Sequence, residues 1–290
     1  MQSPLVTVIC LCYNHARYVR EAIDSVLKQT YASVQLIVVD DASTDNSVAI
    51  IEGIVKENSV IEFISLKNNA GNCKAFNVGL AKAKGNFLID LAADDQLLPH
   101  RIETGVRTLE QAGKEFGVHF SDAELISSSG QLLGLHSTRF PHASIPQGNI
   151  YKELIGRYFI CPPSMMFTRA VMDVLGGYDE TLSYEDFDFW IRSSRKFKYV
   201  YSPEVLVKRR VTGQALGDQQ FRLFSKHSQT TLKVCEKILA LNRTHDEQKA
   251  LRNRILYEIR TNLTLLNIGV VIKFVVLLWK SFRTETSEES

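Results

Sequence analysis

Residues 36–47 read LIVVDDASTDNS, an apolar and β-branched run that ends in two adjacent aspartates, Asp40 and Asp41. A short run of this composition reads as a strand buried on both faces. Residues 87–99, FLIDLAADDQLLP, repeat the pattern and end in Asp94 and Asp95. Neighbouring like charges repel, and a carboxylate at the mouth of a buried strand is costly to desolvate. Two such pairs in one chain call for a shared purpose.

The flanking sequence supplies the frame. Residues 5–12 (LVTVICLC) read as another buried strand, and 61–66 as a further one. Between the strands, apolar residues recur at helical spacing, as in Val19, Ala22, Ile23, Val26 and Leu27 of a helix over 16–28. A second helix, capped by Ser43 or Thr44, runs to about Val55. A third covers 72–83 and stops at Gly85, and a fourth covers 99–111. Strand and helix alternate at βαβ spacing, which predicts an α/β fold with a doubly wound, mostly parallel sheet over residues 1–112. Ligands of such sheets bind beyond the carboxyl ends of the strands, where both aspartate pairs fall.

From 117 to 210 the pattern turns mixed: VHFSDAELI, SMMFT, KYVYS and VLVKRR read as short strands around a helix near 185–195. The stretch GGYDE at 176–180 reads as a helix stop needing positive φ. From about residue 217 the chain is helical, and basic residues outnumber acidic ones. The expected organisation is a domain over 1–215, with halves 1–112 and 113–215, and a helical basic tail over 216–290.

The totals exclude several classes. With 290 residues, 45% hydrophobic, 23% charged and a formal net charge of +2, the chain is globular and lacks the electrostatic footprint of a nucleic-acid binder. No G-x-G-x-x-G follows the first strand, which argues against a dinucleotide oxidoreductase. The five cysteines lack C-x-x-C spacing, and Cys10 and Cys12 share one face of a strand, which places them in the core. Free thiols, no basic leader and no uninterrupted apolar span of about 20 residues suit a cytoplasmic protein.

Each carboxylate cluster has a chemical and an architectural reading. Asp41 suits a donor such as the imide N–H of uracil, and equally an Asx turn before a helix. Asp94 and Asp95 are hard oxygen ligands that suit Mg²⁺ or Mn²⁺ shared with substrate phosphates, and equally a solvated loop. Glu185, Asp186 and Asp188 in YEDFDFWIR complement a helix dipole, yet a carboxylate near Phe187 and Trp190 could serve as a general base.

Taken in order, VTVICLCYNHARYVREAIDSVLKQTYASVQLIVVDDASTDNS, NNAGNCKAFNVGLAKAKGNFLIDLAADDQLLP, GGYDE and YEDFDFWIR resemble family-two glycosyltransferases of the GT-A fold. The resemblance spans residues 5–210. It implies a nucleotide-diphosphate-sugar donor, usually UDP-linked, a divalent metal (Mn²⁺ or Mg²⁺), and inverting transfer to a hydroxyl of a glycan or lipid-linked acceptor. It implies that Asp41 contacts the base, with Cys12, Tyr13 and Asn14 beside it. Asn69, Gly71 and Asn77 match the segment that shapes the donor pocket. Asp94 and Asp95 match the metal and diphosphate motif, with Asp95 the better placed for direct ligation. Asp186 matches the catalytic base, and Glu185 and Trp190 the acceptor side. Three positions depart from the family pattern: Ala92 replaces a common aspartate, Phe76 an arginine and Thr212 a histidine. Lys74 is the nearby candidate for the missing phosphate contact. These departures keep open a non-catalytic domain that binds a sugar nucleotide or a partner. A nucleotidyltransferase fits less well, because CYNHARYVR after the first strand has no glycine.

Residues 263–280, LTLLNIGVVIKFVVLLWK, read as one helix that is apolar nearly all round. Lys273 and Lys280 share a face, and Trp279 with Lys280 and Arg283 suits a headgroup interface. The expectations for this helix are peripheral attachment to the cytoplasmic face of an inner membrane, packing on its own domain, or a homodimer.

Overall fold

In a computed structural model, the chain is described over residues 3–140, 144–212 and 227–286. It divides into two compact units: residues 1–149, 159–180 and 197–212 form the first, and 150–158, 181–196 and 213–290 form the second. This division differs from the expected boundary at 215, because two internal segments join the C-terminal helices.

The first unit is built on one sheet. β1 (Val6–Cys12), β2 (Val34–Asp40), β3 (Glu62–Ser65) and β4 (Phe87–Ala92) are parallel and lie in the order β3-β2-β1-β4. The sheet continues with β8 (Met166–Thr168), β6 (Phe116–Ser127), β9 (Lys198–Val211) and the two-residue β5 (Gln96–Leu97), while β7 (Leu132–Leu135) pairs with β6. The fold is the expected α/β architecture with a mixed far half. KYVYS and VLVKRR, read as two strands, form the single strand β9, which pairs parallel with β6 through irregular register.

β1 is buried along its whole length. Val6, Val8, Cys10 and Cys12 share a core with Val19, Ala22, Ile23 and Val26 of α1 (Val19–Leu27) and with Ile102, Val106 and Leu109 of α4 (Arg101–Ala112). That burial explains why β1 reads as an unbroken apolar run instead of an alternating one. α2 spans Ser47–Glu57 and starts later than expected: Ser43 bonds Asp40, and Asp45 accepts from the backbone N–H of Ser47. α3 (Asn72–Leu80) ends before Gly85, so Gly85 is no helix stop. A Cβ there would lie 2.5 Å from the Thr7 backbone nitrogen, so glycine is required for close approach. Gly176, by contrast, caps α6 (Arg169–Leu175) at φ 70° in the left-handed region, as GGYDE predicts.

The second unit is helical: α5 (Tyr151–Gly156), α7 (Asp186–Ser194), α8 (His227–Leu241), α9 (His245–Thr264) and α10 (Ile268–Thr286). Thr244 caps α9 by accepting from the N–H of Glu247, and Glu247 pairs with Arg195 at 2.9 Å. The expected single helix over 263–280 is instead broken. Leu266 sits at φ 55°, and the Asn267 carbonyl accepts from Val270 and Val271 to start α10. The Asn267 amide donates to the Asn262 side chain at 3.2 Å, which holds the bend.

Replacing Gly85 with alanine should cost about 1–3 kcal/mol, the usual penalty for overpacking against backbone. A lowered urea midpoint with unchanged m-value is the expected measurement; an unchanged midpoint removes the close-approach explanation.

Candidate active site

The carboxyl ends of β1, β2 and β4 lie side by side, with Cys12 paired to Asp40 and Leu11 to Ala92. The chain changes direction across the sheet at β1, so loops leaving these ends diverge and leave a crevice. Residues 13–16 after β1 are tied to the loop after β2. The Asn14 backbone sits at φ 57°, and its side-chain oxygen accepts from the Thr44 N–H at 2.7 Å. The N–H groups of Asn14, His15 and Ala16 donate to Ser43, Ser47 and Asp45. Tyr13, 45% exposed, is thereby presented at the rim with its ring open to solvent. Cys12 is a core residue, and burial pushes its thiol up to about 11. Its part in the site is the backbone carbonyl, which accepts from the Asp41 N–H at 2.8 Å.

Asp41 organises the neighbouring segment. Its carboxylate accepts from the N–H groups of Ala70 at 2.6 Å and Gly71 at 2.9 Å, and its carbonyl accepts from the Asn69 amide. Asp41, Asn69 and Gly71 therefore form one cluster. Gly71, at φ 86°, turns the chain into α3. Asn77 faces elsewhere: its amide bonds the backbone of Tyr178 and the Glu180 carboxylate, which spends it on the turn after Gly177. Phe76 is buried and stacked on Tyr178 with ring centroids 4.1 Å apart, so an arginine's place here is filled by core packing. Lys74 on the same helix is exposed.

Asp94 and Asp95 have different environments. Asp95 is 6% exposed and accepts from the Arg210 N–H at 2.7 Å. Burial first, and then the adjacent Asp94, raise its carboxyl well above the ordinary range. Asp94 retains 14% side-chain exposure, and its Oδ2 lies 3.9 Å from Nε2 of His15. His15 Nδ1 is buried without a hydrogen-bond partner. Among the described residues no group of three or more His, Cys, Asp and Glu side chains is arranged to hold a metal. A hard carboxylate beside an imidazole nevertheless suits Mn²⁺ or Mg²⁺ when substrate phosphates complete the shell.

Arg210 is the residue that sequence reading missed. It is 4% exposed, and its guanidinium donates to the carbonyls of Asp94 and Ser127 and to Glu21 at 2.8 Å, with Tyr18 stacked 4.3 Å below. Its only sequence signal is a charge ending a strand.

In the second unit, Glu185 and Asp186 are partly exposed at the start of α7. Asp188 is not available: it is 1% exposed and salt-bridged at 2.6 Å to both Arg192 and Lys237. Trp190, expected to line an acceptor surface, is 3% exposed and packs on Tyr158, so it is a core residue. Arg254 pairs with Glu258 at 2.8 Å and lies 4.7 Å over the Phe187 ring, which fixes the helix that carries Asp186.

The Glycosyl transferase family 2 profile matches residues 7–175, more than half of the chain. The chain belongs to this family. An uncharacterized glycosyltransferase of Rickettsia typhi is 31% identical over 214 residues, which is 72% of this chain and 64% of that relative. A Rickettsia felis relative is 30% identical over 71% of this chain but only 34% of its own length. This family member therefore spans less than two thirds of either relative. Among solved structures, the mannosyltransferase PcManGT from Pyrobaculum calidifontis, in complex with GDP-Man and Mn²⁺, superposes with a TM-score of 0.66 at 17% identity over 97% of this chain and 76% of that one. Staphylococcus aureus TarS 1–349 in complex with UDP-GlcNAc gives 0.63 at 15% identity over 97% and 92%. The fold is GT-A.

Substituting Arg210 with methionine should destabilise the family-2 domain by about 2–4 kcal/mol, since buried carbonyls lose a charged donor. Lysine at the same position should recover only part of this, because it lacks the planar fork. Chemical denaturation of both variants checks the ranking; equal stability of Arg210→Met and wild type refutes it.

Proposed function

We propose that this glycosyltransferase moves a sugar from a UDP-linked donor to a hydroxyl of a glycan or lipid-linked acceptor, with inversion and with a divalent metal. The observation that carries the reading is the gathering of Tyr13, Asp41 and Asp94 at the adjoining carboxyl ends of β1, β2 and β4. The nucleotide sugars in PcManGT and TarS support a donor of this class.

Asp41 holds the base. Its oxygens already accept from Ala70 and Gly71, and each keeps a lone pair suited to the uracil imide N–H. Those backbone bonds also keep the carboxylate in one orientation. Tyr13 offers an exposed ring for stacking on the base. Asp94, rather than Asp95, is the metal ligand in this reading, because Asp95 is buried and bonded to Arg210 while Asp94 still reaches solvent. His15 stands beside Asp94 as a second donor atom. A divalent ion held there with the donor diphosphate supplies positive charge for the departing oxygen.

Asp186 takes the proton of the acceptor hydroxyl. The freed oxygen attacks the anomeric carbon from the face opposite the diphosphate, a new glycosidic C–O bond forms, and the bond to the leaving UDP breaks with its electron pair. One displacement inverts the centre. The acceptor proton ends on Asp186, and the negative charge ends on UDP. Lys237 bonds Asp188 and Arg254 overlies Phe187, contacts that brace α7 at the two residues following Asp186, within its own unit.

Asp186→Asn should reduce transfer by at least about 10³-fold while UDP binding stays near wild type. Asp94→Asn should raise the Mn²⁺ concentration for half-maximal hydrolysis of UDP-sugars by about tenfold or more, with Asp95→Asn acting mainly on stability. A panel of UDP-, GDP- and dTDP-sugars, assayed with Mn²⁺ and with EDTA, tests the donor class. Turnover of every donor in EDTA rejects the metal role, and full transfer by Asp186→Asn rejects the base.

A further inference from the structure

α10 carries a row of apolar side chains left exposed among the described residues. Ile268, Ile272, Val275, Val276, Trp279 and Phe282 are each 46–59% exposed. At about 100° per residue these six fall within an arc of about 120°. Val270, Val271, Phe274 and Leu277 point the other way and are buried. The helix is thus two-sided, with one apolar face spent on packing and a second left outward. Leu263 and Leu266, at the bend between α9 and α10, are also exposed and extend the row.

The charges bordering this row have one sign. Residues 268–283 contain Lys273, Lys280 and Arg283 and no Asp or Glu. Lys273 and Lys280 lie along one flank of the arc, and the Arg283 guanidinium stacks 3.4 Å over the Trp279 ring. From α9, Arg252 stacks 4.1 Å over Phe282. Aromatic rings overlaid by cations, next to long basic side chains, suit the boundary between acyl chains and phosphate headgroups. No described helix is long and apolar enough to cross a membrane, so such contact would be made lying flat. A second copy of the chain is the weaker occupant. A two-fold contact would set Lys273, Lys280 and Arg283 of one α10 against the same three cations of its mate, with Glu285 the one acidic residue in each helix to offset them. Anionic lipid supplies the remaining negative charge.

We propose that the outward face of α10 binds the surface of an anionic lipid bilayer, with the helix in the headgroup plane. The proposal is independent of the donor and base assignments. The test is co-sedimentation of the full chain with vesicles of phosphatidylcholine alone and of phosphatidylcholine with phosphatidylglycerol. The wild type should pellet with the anionic vesicles, and at least about tenfold less with the neutral ones. Ile272→Ser combined with Trp279→Ser should weaken anionic binding about tenfold or more, as should Lys273→Glu combined with Lys280→Glu. Both variants alter exposed side chains, and circular dichroism with thermal melting should match wild type. A protein that stays in the supernatant with anionic vesicles overturns the proposal, as do serine variants that pellet like wild type. A wild-type dimer in light scattering that the serine variant converts to monomer overturns it in favour of self-association.

Discussion

One buried guanidinium ties the sheet unit of this family-2 chain together. Arg210 sits at the end of β9, yet it bonds the loop after β4, the end of β6 and α1. Its backbone N–H holds Asp95, and its side chain holds the carbonyl of Asp94. Placing a cation at 4% exposure is costly unless its donors are matched, and here the surrounding carbonyls and Glu21 match them. The arrangement explains why two adjacent aspartates are tolerated. One carboxylate is drawn inward to fix the loop, which leaves the other partly exposed beside His15.

A related division of labour marks the other acidic pairs. Asp40 holds Ser43 while Asp41 clamps the backbone of residues 70 and 71. Asp188 is neutralised by Arg192 and Lys237 while Asp186 remains partly exposed. In the pairs Asp94–Asp95 and Asp186–Asp188 one carboxylate is committed to the architecture while the other keeps some exposure.

Most of the sheet was legible because buried parallel strands are written as apolar runs, and β4 falls on its expected residues. The doubly wound half followed from strand order, and the family resemblance put Asp41, Asn69 and Gly71 in the donor region, where the three form one cluster. Other features depend on contacts that no local pattern encodes. Trp190 and Asn77 were read as site residues, but they are committed to Tyr158 and to the Tyr178 turn. Arg210 and His15 were passed over because a lone basic residue beside a strand carries no periodic signal. Gly85 looked like a helix stop because the Thr7 backbone it must clear lies far away in sequence. The bend at Leu266 was hidden within an apolar stretch, where hydropathy continues across a break in the backbone.

The chain leaves and re-enters the sheet unit repeatedly, at 149, 158, 180, 196 and 212. The helix bearing the proposed base is therefore threaded into the C-terminal unit rather than appended to the sheet. A fragment ending at 212 would retain the nucleotide crevice but strip Asp188 of Lys237 and Phe187 of the overlying Arg254. The helix bearing the proposed base and the C-terminal bundle are thus a single inheritable piece: recombination at residue 212 would separate that helix from the ballast that keeps it in shape.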